Sequence, residues 1–234
     1  MLLLRWRDEC GILDARIMNH QTKTAVVATA AFCFVLVESS LADMQVTAAI
    51  AKVIASLGFL TVAILCGALR SSYGKILLAG LVLSFLGDVF LIGDSQRAFL
   101  SGLAAFLLAH MAYVAAFTVN GVSLRWMGFA VLPVLGIAVA VSAWLAPHTP
   151  PELTLPVQLY TIVISAMVVA AVGTRGKGGS VLILTGALLF FLSDLSVAAL
   201  RLTPTQFPTY VWGLPLYYAG QVCLALSVSQ SRSH

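Results

Sequence analysis

Eight stretches of this 234-residue chain are each long and apolar enough to cross a bilayer, at about 24–41, 47–69, 76–93, 98–119, 126–146, 153–173, 180–200 and 209–229. A helix needs about 20 apolar residues to cross roughly 30 Å of hydrocarbon. Lipid offers no hydrogen bonds to a peptide group, so a chain of such segments must satisfy its backbone internally, as helices. Composition agrees: 60% of residues are hydrophobic and 9% charged, against about 25% charged in soluble domains. The expected fold is all-α, a polytopic bundle of eight transmembrane helices. Turn and charge chemistry marks the boundaries, as in Arg70-Ser71-Ser72-Tyr73-Gly74-Lys75 and Arg175-Gly176-Lys177-Gly178-Gly179. The loops are short, so residues 24–229 read as one membrane domain, with a cytoplasmic lead-in over 1–23 and a tail over 230–234.

Charge sets the expected orientation. With the N-terminus cytoplasmic, that side collects Arg5, Arg7, Arg16, Lys23, Arg70, Lys75, Arg125, Arg175, Lys177 and Arg232, and the other side only Arg97 and Arg201. The positive-inside rule therefore predicts both termini inside. Residues 1–20 are too polar for a signal-peptide core, and Met18 is an alternative initiator. The net charge of +4 is spread thinly over loops, which argues against nucleic acid as a partner. Cys10, Cys33, Cys66 and Cys223 share no CxxC spacing, so neither a disulfide framework nor a zinc site is indicated.

One internal match singles out two acids. Gly80, Phe85, Leu86 and Asp88 in the third span recur as Gly186, Phe191, Leu192 and Asp194 in the seventh, at the same spacing. Four spans separate the copies, so both helices run the same way, as in a parallel repeat of two four-helix halves. Counted from the span ends, both aspartates fall about 8 Å below the outer boundary at 1.5 Å per residue. The expectation is that the third and seventh spans are central neighbours whose carboxyls share a site, because ionisable groups within a bilayer are costly and mark function.

Other intramembrane polar groups converge on the outer half: Lys52, Tyr160, Tyr217, Tyr218 and Gln221, with His110 nearer the midplane. Each has a plainer use, as interfacial packing for the tyrosines, interhelical hydrogen bonding for Gln221 and snorkelling for Lys52. His110 has no second membrane histidine, so no metal ligand set is expected and it reads as a hydrogen-bonding or positioning group.

The stretches Leu86-Gly87-Asp88-Val89-Phe90-Leu91, Phe106-Leu107-Leu108-Ala109-His110-Met111-Ala112-Tyr113, Gly186-Ala187-Leu188-Leu189-Phe190 with Ser193-Asp194, and Tyr217-Tyr218-Ala219-Gly220-Gln221 resemble the lysoplasmalogenase-like (YhhN-like) family of eight-span membrane proteins. The resemblance covers about residues 45–228. It departs from the family pattern at Val53, where proline is expected after the lysine. It implies hydrolysis of the vinyl ether of a lysoplasmalogen to a fatty aldehyde and glycerophospho-ethanolamine or -choline, with no metal or organic cofactor. Asp88 and Asp194 would be the catalytic pair, one protonated and one ionised, since two carboxyls close together in a low-dielectric site do not both ionise easily. Lys52, His110, Tyr160, Tyr217, Tyr218 and Gln221 would bind or orient the substrate. The partners implied are a lysophospholipid and membrane lipids; oligomeric state stays open. The host membrane would be the bacterial plasma membrane or a eukaryotic endoplasmic-reticulum-type membrane. The competing expectation is a lipid or small-molecule transporter with the acids in its translocation path, and a metal-dependent lipid amidase is disfavoured by the single membrane histidine.

Overall fold

A computed structural model describes residues 19–230. The lead-in before Asn19, with Met18, Cys10, Arg5, Arg7 and Arg16, and the tail with Arg232 lie outside the described residues. Eight long helices carry the described chain: α1 (His20–Leu41), α2 (Gln45–Leu65), α3 (Ser72–Phe90), α4 (Gln96–Asn120), α5 (Leu124–Leu145), α6 (Pro151–Arg175), α7 (Val181–Leu202) and α8 (Tyr210–Ser227). All eight are long and apolar enough to span a membrane, and no strand is present among the described residues.

Local chemistry explains where the helices begin and end. The side chains of Asn19, Ser71, Ser95 and Ser180 accept hydrogen bonds from the first free amides of α1, α3, α4 and α7, which satisfies donors that have no partner within the helix. Gly67 (φ 86°) closes the chain after α2, earlier than the apolar run suggests, and residues 68–70 form a short 3-10 turn. Gly121 (φ 101°) ends α4. Proline falls within three helices, α5 (Pro133), α6 (Pro156) and α8 (Pro215).

The exterior is a lipid-facing surface. Leu132 is 76% exposed and Phe129 68%, and such residues recur over the bundle where water would penalise a contiguous apolar face. Small residues dominate the contacts inside: Ala51, Ala55, Ala109, Ala171, Ala187 and Ala225 are buried. Between helices in lipid, close backbone approach and dispersion replace the hydrophobic effect as the source of attraction.

The most intimate pairs are α1 with α2, α3 with α4, and α7 with α8, while α5 packs chiefly on α6 at the periphery. The third and seventh spans are thus not the central neighbours the repeat suggested. The repeated glycines account for this. A Cβ at Gly80 would strike the Tyr113 ring of α4, and one at Gly186 would strike Leu224 and the Gly220 carbonyl of α8. Each glycine admits the helix that follows it in sequence. Helix α8 packs against α7, α2, α1 and, more lightly, α3, and so connects the two acid-bearing helices.

Candidate active site

Asp88 is the residue two positions before the end of α3, and Asp194 is eight before the end of α7. The α7 helix thus runs further beyond its acid than α3 does. Both acids nevertheless line a single cavity of about 420 Å³, within the usual range for small-molecule sites. The wall also includes Ser40, Asp94, Leu145, Arg201 and Tyr210. These lie at the C-terminal ends of α1, α5 and α7, in the α3–α4 connection and at the start of α8, all at one end of an up-and-down bundle. That end is the one opposite the described N-terminus.

Asp88 is held by a dense set of donors. Its Oδ2 accepts hydrogen bonds from Ser56 Oγ at 2.6 Å and the Tyr217 hydroxyl at 2.7 Å. Ser56 Oγ also lies 3.2 Å from the Tyr218 hydroxyl, which donates to the Lys52 carbonyl at 3.3 Å. The Lys52 side chain shares the cavity wall and interacts electrostatically with Asp88. Lys52 and Ser56 are one helical turn apart on α2, which is why both address the same carboxylate.

Asp194 has a separate and sparser environment. Its Oδ2 accepts from the Tyr160 hydroxyl at 2.7 Å, and His110 Nε2 stands 3.6 Å away, beyond a normal hydrogen bond. The His110 ring is fully buried, with its centroid 5.2 Å from Tyr160 and 4.6 Å from Phe190. Phe190 in turn lies 5.2 Å from Tyr217. The Phe190 ring thus packs against both a donor of Asp88 and the histidine beside Asp194. The two carboxylates face a common space, each with its own partners.

Of the side chains expected from sequence, Lys52, Asp88, Tyr160, Asp194 and Tyr217 reach the cavity wall. Tyr218 stands behind Asp88 through Ser56. Gln221 is elsewhere in the interior: its Oε1 accepts from the Tyr113 hydroxyl at 2.9 Å, which also lies 2.9 Å from Ser84 Oγ. Among the described residues no three His, Cys, Asp or Glu side chains converge where a metal ion could sit. Sequence reasoning did not single out Ser56, Asp94 or Arg201. The i, i+4 spacing of Ser56 from Lys52 was a readable signal; the other two sit at helix ends, where charge is ordinary.

Eight apolar helices around a largely apolar cavity that two intramembrane acids line define a polytopic integral membrane protein with an interior site. The family model of the YhhN family matches residues 47–228, and the chain belongs to that family. It is 32% identical over 200 residues to the human protein named Lysoplasmalogenase TMEM86B, covering 86% of this chain and 82% of that one. It is 35% identical over 162 residues to the bovine Lysoplasmalogenase TMEM86A, covering 65% of each. Against the pig Lysoplasmalogenase TMEM86B it is 33% identical over 162 residues, covering 68% of this chain and 66% of the relative. The chain thus spans just under two thirds of the bovine and pig relatives. No solved structure matches the chain.

Proposed function

We propose that this protein is a membrane-embedded hydrolase that cleaves the vinyl ether bond of lysoplasmalogens, giving a fatty aldehyde and glycerophospho-ethanolamine or -choline. The observation that carries the reading is the pair of acids opening on one cavity with unlike partners, in a chain whose relatives are named for this activity. Vinyl ether hydrolysis begins when an acid transfers a proton to the β-carbon, leaving an oxocarbenium ion. Water adds to the adjacent carbon and loses a proton, and the resulting hemiacetal collapses to aldehyde and alcohol. The step needs one carboxylic acid and one anion near the developing positive charge.

The unlike surroundings suggest the division of labour. Asp88 accepts two hydroxyl donors and faces Lys52, so it is suited to hold the negative charge that stabilises the oxocarbenium ion. Among the described residues Asp194 has no lysine or arginine in ion-pair contact and one tyrosine donor, so it is suited to deliver the proton, with His110 positioned beside it. Leu103, Phe106, Ile164 and Phe191 supply an apolar wall for the alkenyl chain. The orientation read from charge makes the open end non-cytoplasmic.

The test is to incubate purified protein in detergent with a panel of lysolipids, alkenyl, alkyl and acyl, and to identify products by mass spectrometry. Aldehyde should appear from the alkenyl substrates alone. Because detergent leaves no sealed compartments, release there also separates hydrolysis from transport. Absence of aldehyde from every alkenyl lipid would overturn the reading.

A further inference from the structure

The rim of the cavity carries charges that hydrolysis of the vinyl ether does not use. Arg201, in the last turn of α7, and Asp94, between α3 and α4, both line the cavity, as does Lys52 deeper in. The Arg201 guanidinium lies 5.6 Å from the centroid of Phe99, one turn beyond the N-cap of α4. That stacking holds a planar cation in place while leaving its N–H groups free for a partner. The Lys52 charge is drawn toward Asp88 and repelled by Arg201, and among the described residues no carboxylate is in direct ion-pair contact with either cation. Two cations on one cavity wall favour a further anion, because Asp88 offsets the Lys52 charge and leaves that of Arg201 without a carboxylate in contact. Asp94, an exposed carboxylate lining the same cavity, suits a positive group.

We propose that Lys52 and Arg201 form a phosphate subsite and Asp94 an ammonium subsite, so that the rim recognises a zwitterionic phospho-amino-alcohol head group. The assignment rests on the lysolipid reading of the cavity. It gives the head group a fixed place at the membrane surface, with the chain passing inward beside Asp88 and Asp194. Arginine suits the outer position because its fork can engage two phosphate oxygens at once.

Binding of non-hydrolysable saturated ether lipids to the purified full-length protein tests this without requiring turnover. The probes are 1-O-alkyl-glycerophosphoethanolamine, 1-O-alkyl-glycerophosphate and 1-O-alkylglycerol, titrated in detergent. Arg201→Gln should weaken both phosphate-bearing ligands by about ten- to a hundredfold, the range for one charge-assisted hydrogen-bonding partner, and leave alkylglycerol unchanged. Arg201→Lys should recover part of the loss. Asp94→Asn should weaken the ethanolamine ligand relative to the glycerophosphate. Arg201→Gln protein that binds all three ligands as the parent does would overturn the phosphate subsite, and an unchanged ethanolamine-to-glycerophosphate ratio in Asp94→Asn would overturn the ammonium subsite. A protein that discriminates head groups this way but releases no aldehyde would keep the rim assignment and refute the hydrolase. The opposite result would do the reverse.

Discussion

At the scale of single residues, the two aspartates are isosteric but differently furnished, and substitution should separate chemistry from architecture. Asp88→Asn and Asp194→Asn keep volume and polarity while removing proton exchange or charge. Each is expected to lower aldehyde release by at least about a hundredfold, the lower range for a general acid or base, with smaller effects on lipid binding. If the two act in one step, the double variant should be little worse than either single one; a fully additive loss would mean that they act independently. Tyr113 has a different role. Its hydroxyl bridges Ser84 and Gln221 in a fully buried network, so Tyr113→Phe strands the Gln221 carbonyl. A cost of about 1–3 kcal/mol is expected, measured as earlier thermal unfolding in detergent with turnover per folded molecule largely kept.

At the scale of helices, glycine decides which neighbours approach. Gly186 meets the backbone and Leu224 of α8 so closely that a side chain has no room. Gly186→Val is expected to cost about 1–3 kcal/mol, as overpacking does in a filled interior. Because α7 carries Asp194 and α8 carries Tyr217, the forced separation should also reduce activity, and parallel measurement of unfolding temperature and aldehyde release checks both. Gly80 does for α3 and α4 what Gly186 does for α7 and α8. This equivalence supports, as our proposal, a parallel repeat of two four-helix halves. The repeat was legible as a motif, but its partner helix was not: glycine spacing states that something comes close, and only the packed bundle identifies what.

At the scale of the molecule, eight crossings place the two ends of the bundle's chain on one membrane side, and the charge count proposes that side as cytoplasmic. The connection between α7 and α8 then faces outward. Gln206 lies there and is exposed. In a background with the native cysteines replaced by alanine, Gln206→Cys should react with a membrane-impermeant thiol reagent in intact cells. Protection until the cells are permeabilised would reverse the orientation and place the cavity mouth in the cytoplasm.

The sequence alone determined the number of helices, because each run of about twenty mostly apolar residues is long enough to cross the bilayer as a helix that satisfies its own backbone. Span limits came within a few residues for the same reason, with the end of α2 at Leu65 set instead by the left-handed Gly67. It also marked Asp88 and Asp194 as the acids to test, since an ionisable group within hydrocarbon is costly. What the tertiary structure decided is where each group meets its partners. Ser56, Tyr217 and Lys52 come to Asp88 from two other helices, and Tyr160 and His110 come to Asp194 from two more. Gln221, from the same motif as Tyr217, turns instead to Tyr113. Helical periodicity fixes the relative directions of side chains on one helix but not the rotation of that helix about its axis. That rotation is set by packing across the bundle, and with it the identity of every group that lines the cavity.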